Sequence, residues 1–251
     1  MDAFGGGIIT TQQASDIFSL LKDSNFSAES LIFVNRSLAH IAAGAIVDFD
    51  ERIIEEASFE NSKANCLFEK LKQRSEGYRD LLFNFLEESS ADLKFRVEPI
   101  PQTNPAGVIH GEASPPEDGI ITITINKDSL EDIPALNLVG VILYESLHAE
   151  IFNKLLEVFN NGGSISGITN QKLQQVLNEN KFPDMFDAIR KYGIQHFQHD
   201  LMAERYLGAI VEGLKSYDRG QHTDQFYRDL ACIGLMIQNP IESFQTQRRE
   251  E

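Results

Sequence analysis

Glu145 and His148 stand three residues apart in the apolar stretch Val141-Ile142-Leu143-Tyr144-Glu145-Ser146-Leu147-His148-Ala149-Glu150. That spacing is the second half of the pattern His-Glu-x-x-His. There, two histidines one helical turn apart bind zinc at about 2.0–2.1 Å, and the glutamate deprotonates the bound water. Tyr144 occupies the position of the first histidine. Three roles are open to it: a phenolate ligand, a hydrogen-bonding group in a metal-free cleft, or a filler of the space left by a lost site. The first requires a metal to drive deprotonation, because an unperturbed phenol has a pKa of about 10.

Catalytic zinc sites complete three protein ligands and keep a fourth position for water. The segment Gln195-His196-Phe197-Gln198-His199-Asp200-Leu201-Met202-Ala203-Glu204-Arg205-Tyr206 supplies the candidates. His196 and His199 are three residues apart on one helical face, so either can be the one that points inward. Tyr206 lies seven residues beyond His199, on the same face if the segment is helical. Core packing and support of a developing oxyanion are both open to it. His40, His110 and His222 fall outside these segments and take no role.

The elements that must position these residues follow from periodicity. Over residues 10–43, Ile17, Leu20 and Leu21, then Leu31, Val34 and Leu38, recur at helical spacing. Two short amphipathic helices are expected there, with Thr11 or Ser15 capping the first and Ser27 starting the second. The helical pattern is read as continuing over 48–88, with breaks near Asn61-Ser62 and Glu76-Gly77. Residues 93–97 then alternate apolar and polar, as a half-buried strand does. A loop over 99–119 follows, and 121–125 is the clearest strand, β-branched throughout. After Pro134 the period is helical again. A long helix is expected over 138–158, with others near 170–179, 196–217 and 224–237. Helices, a small β region and helices again make an α+β chain with one sheet.

Taken together, these segments resemble the SprT-like, HExxH-type metallopeptidase domain found at the C-termini of large bacterial proteins, many of them Rhs or wall-associated proteins of Bacteroidetes. The resemblance runs over roughly residues 26–242 and rests on 47–54, 63–71, 121–125, 143–152, 181–187, 198–203 and 230–235. It implies a mostly helical zincin-like fold over 45–251, preceded by a lead-in and helical region over 1–44. The strand 121–125 would lie along the cleft edge, and the helix bearing Glu145 and His148 would form the floor. It further implies Glu145 as general base, with His148 and His199 as zinc ligands and His196 beside them. The family has histidine where this chain has Tyr144. Two functions follow as expectations: a zinc peptidase with a degenerate site, or an inactive relative that binds peptide or protein by strand addition.

Bulk properties bound these readings. The chain has 251 residues and a formal net charge of -16. Such acidity and the lack of a basic stripe argue against a nucleic-acid partner. Cys66 and Cys232 form no CxxC pair, and are expected as two buried thiols. No apolar run is read as long enough for a membrane span. The start Met1-Asp2-Ala3-Phe4-Gly5-Gly6-Gly7 lacks the pattern of a signal peptide, which leaves a cytoplasmic protein or a piece exported within a larger surface or toxin protein.

Overall fold

In the computed structural model, which describes residues 9–85, 91–102, 108–114, 116–160 and 206–237, the chain opens with two helices. α1 (Thr11–Asp23) is capped by Thr10, whose side chain accepts from the Gln13 N–H while Gln13 reaches back to the Thr10 N–H. This reciprocal capping box places the start one residue before the expected Thr11. α2 (Ala28–Ala42) begins at Ser27, as its sequence indicates.

The next segment corrects the expected helix over 48–88. Ile46–Asp48 forms β1 and Ile53–Glu55 forms β2, an antiparallel pair. The pair is closed by Asp48, whose carboxylate accepts from the N–H groups of Asp50 and Glu51. Three helices follow: α3 (Ala57–Glu60), α4 (Lys63–Arg74) and α5 (Glu76–Phe83). Ser62 caps α4, and Ser75 both ends α4 and caps α5, one residue before the expected break.

β3 (Asp92–Glu98), β4 (Gly111–Ala113) and β5 (Ile120–Asn126) complete one five-stranded sheet of order β1-β2-β3-β5-β4. The pairs β2·β3 and β3·β5 are parallel, whereas β1·β2 and β5·β4 are antiparallel. β2 therefore reaches its parallel neighbour β3 through the crossover helices α3–α5, as parallel strands require. The chain is α+β, with one mixed sheet among eight described helices. Asp118 (φ 50) and Gly119 (φ 75) form the two-residue turn that enters β5. Asp-Gly with both φ positive is the type I′ pattern that matches strand twist.

The remaining described helices are α6 (Ala135–Asn160), α7 (Leu207–Asp218) and α8 (Asp224–Ile237). Ile53, Leu93, Phe95, Ile121, Ile123 and Ile125 face the main core with α4–α8. Ile54, Val47 and Phe49 face a second cluster with Phe33, Val34 and Ile41 of α2. Within α6, Ala135–Lys154 is long and apolar enough to cross a bilayer, which corrects the reading that no such run exists. It is mostly buried against the sheet and its helical neighbours, so its apolarity serves the core. Cys66 is exposed and Cys232 partly buried, both unpaired, so the expectation of two buried thiols is corrected.

One ion cluster ties these layers together. Asp92, fully buried at the start of β3, pairs with Arg36 of α2 at 2.7 Å and with Arg52 of the β1–β2 turn at 2.8 Å. Its N–H donates to the Gly119 carbonyl, which also accepts from Arg36. A side chain at Gly119 would put its Cβ 2.2 Å from the Arg36 guanidinium. Removing one partner of a buried pair strands the other charge, so Asp92→Ala is expected to cost about 3–5 kcal/mol. Urea unfolding of wild type and variant checks this, and a loss below about 1 kcal/mol would show the cluster to be incidental.

Candidate functional site

α6 carries the motif residues through the middle of the molecule, and packing on two sides fixes its rotation. On one side, Ser146 is fully buried. Its hydroxyl donates to the Ile142 carbonyl at 2.8 Å and accepts from the Tyr78 hydroxyl at 3.0 Å. One turn on, Glu150 takes a hydrogen bond from Asn84 at 2.8 Å and pairs with Lys154. Asn153 donates to the Asn84 carbonyl and accepts from the Ala91 N–H. These bonds hold α6 to α5 and to the approach to β3, because buried polar groups left unpaired would cost about 1–3 kcal/mol each.

On the other side lies β4. A Cβ at Gly111 would stand 2.5 Å from Val141 Cγ1 and 3.1 Å from Glu145 Cγ. Glycine thus lets the strand lie directly on the helix. At that contact the Ala113 N–H donates to Glu145 Oε2 at 2.8 Å. Glu112 pairs with Thr124 in the β4·β5 ladder, and Ser114 N–H donates to the Thr122 carbonyl. The Ala113 N–H consequently points away from the sheet, toward α6. The edge strand beside α6 is β4, not 121–125. β5 lies one position further in, between β3 and β4, with Thr122 and Thr124 buried as well as Ile121, Ile123 and Ile125.

Tyr144 and His148, four residues apart, share a helix face. Their rings meet edge to face, with centroids 4.5 Å apart and planes at 83°. Tyr144 is 5% exposed and Glu145 is 1% exposed. Burial, and next the charge of Glu145, push the Tyr144 phenol well above its ordinary value. A phenol so shifted is neutral at pH 7 unless a metal takes its proton. Burial pushes the partly buried His148 imidazole down to about 4, so it is neutral at pH 7.

Of the other expected residues, Tyr206 immediately precedes α7 and packs, partly buried, against the main core. His196 and His199 lie outside the described residues. Among the described residues no group of three or more His, Cys, Asp or Glu side chains gathers around a point that could hold a metal. One neutral imidazole and one carboxylate already bonded to a strand fall short of the three ligands a zinc centre uses. The described donor set does not fit zinc.

Gly111 and Ala113 fall within the loop expected over 99–119, which the structure corrects to β4. Their signal is the pair of small residues two apart in His110-Gly111-Glu112-Ala113-Ser114, the period of a strand whose one face meets another backbone. Comparison with family models, with curated proteins and with solved structures gave no match.

The buried neutral imidazole has a consequence for stability. Its folded pKa lies below the unfolded value of about 6.5, so the unfolded chain binds the proton first. Stability from this group is complete above about pH 6.5 and is lost as pH falls toward 4. In chelator-treated protein, wild type is expected to lose up to about 3 kcal/mol more than His148→Gln across that window. Urea midpoints at pH 7, 5.5 and 4.5 measure the difference, and parallel curves would remove His148 as its source.

Proposed function

We propose that the chain is a zincin-like binding module that holds an extended segment of peptide or protein against β4, without a working hydrolytic zinc site. The observation that carries this reading is Tyr144. At the first ligand position it presents a buried neutral phenol packed on His148, where a metal centre needs an exposed nitrogen. The edge β4 supplies the binding mode. A peptide strand adding there would offer its own carbonyl to the Ala113 N–H in place of Glu145.

A second reading, an active peptidase, is favoured by one observation. His148 is neutral at pH 7, the state in which an imidazole binds metal. It requires His199 as a further ligand and Glu145 released from Ala113 to act as base. The SprT-like resemblance supports the scaffold in both readings, and an origin at the end of a larger bacterial protein is proposed with it.

Elemental analysis of wild type beside Tyr144→His separates the two. The module reading expects no stoichiometric zinc in wild type, and peptide capture that chelators leave unchanged. About one zinc per wild-type chain, with turnover lost in Glu145→Gln, would establish the peptidase instead. Ala113→Pro removes the outward N–H without breaking a ladder bond, and is expected to lower peptide affinity at least tenfold. Unchanged affinity would place binding elsewhere.

A further inference from the structure

Among the described residues no strand lies beyond β4, so the sheet ends on it. An edge strand presents backbone groups that recruit another strand unless something covers them. Here the cover is a side chain. Glu145 Oε2 accepts from the Ala113 N–H at 2.8 Å, at the distance a carbonyl of a neighbouring strand would take. The carboxylate is buried, and Ala113 packs partly buried against the main core.

The seating of Gly111 keeps that side chain in place. A Cβ there would stand 3.1 Å from Glu145 Cγ and 2.5 Å from Val141 Cγ1, so the strand rests on the helix with no gap. Glu145 has no space to swing aside while Gly111 is seated. Gly111 is outside the left-handed region, so it is the lack of space, not the backbone, that requires glycine. The start of the strand is anchored separately. The Ile109 N–H donates to Gln102 Oε1 at 2.8 Å, and its carbonyl accepts from Asn126 at 2.7 Å. Opening the edge therefore means lifting Gly111 to Ala113 from α6, with the anchor at Ile109 kept.

We propose that the Glu145–Ala113 bond is an autoinhibitory latch that holds β4 closed on α6 in the resting chain. An added strand must displace it before the edge can be used. The latch rests on the proposed peptide reading only for its ligand, since the closed contact is present in the free chain. Only the open fraction binds, so the latch lowers apparent affinity. Hydrogen bonds to a charged acceptor are among the stronger ones, which puts the open state about tenfold or more below the closed one.

Amide hydrogen exchange and titration calorimetry on the full chain test this, with acetyl-Thr-Val-Thr-Val-Lys-amide as an extended, β-branched probe. In wild type without peptide, the Ala113 amide should exchange as slowly as that of Glu112, which lies in the β4·β5 ladder. This readout needs no variant to fold. Glu145→Ala should speed exchange at Ala113 by about tenfold and tighten the probe by a similar factor. Gly111→Ala should do the same by wedging β4 off Val141. Adding Val141→Ala to it should restore slow exchange, a rescue that a general loss of stability does not give. Unprotected Ala113 in wild type, unchanged exchange in both single variants, or weaker probe binding in them would overturn the latch. Equal probe affinity in every chain would also overturn it while keeping the peptide reading. Faster exchange in the variants with no probe binding anywhere would uphold the latch and remove that reading.

Discussion

The buried carboxylate of Asp92 is the contact on which the rest of the arrangement depends. Its two arginines come from α2 and from the β1–β2 turn, and its backbone meets the turn that launches β5. Four segments distant in sequence are thereby brought to one point at the base of the sheet. From there β5 runs beside β3 in register, β4 returns along β5, and Ala113 arrives over Glu145. Two arginines per carboxylate cover the desolvation of a charge this deep only because each bond is short and the donors are planar. The position of β4 on α6 is therefore set from the opposite end of the sheet.

Much of this was legible in the sequence where periodicity was long. The helix about Glu145, the strand about Ile123 and the final helix from Asp224 all have runs of seven residues or more. The segment around Ile53 carries no strand signal because strands of three residues are too short to show a period of two. Ile53 and Ile54 are both buried because β2 is covered on both faces, which removes alternation altogether. The Asp118-Gly119 turn had a local signal, but the prolines around it made the stretch look like loop throughout.

The site was legible only as far as residue types go. Tyr144-Glu145-x-x-His148 could be seen, and helical spacing correctly put Tyr144 beside His148. What the letters do not carry is burial. Nothing in them indicates that Tyr144 is enclosed, or that Glu145 is bonded to a backbone N–H from 32 residues earlier.

The chain contains six tyrosines and no tryptophan. Of the five that are described, Tyr78, Tyr144 and Tyr227 are enclosed in the packed interior; Tyr78 lies against α6 and Tyr144 is part of it. With no indole to mask them, the near-ultraviolet dichroism of this protein carries the asymmetry of those phenol rings. A spectroscopist would thus have, without any label, an optical readout of whether the helix at the centre of the molecule is seated.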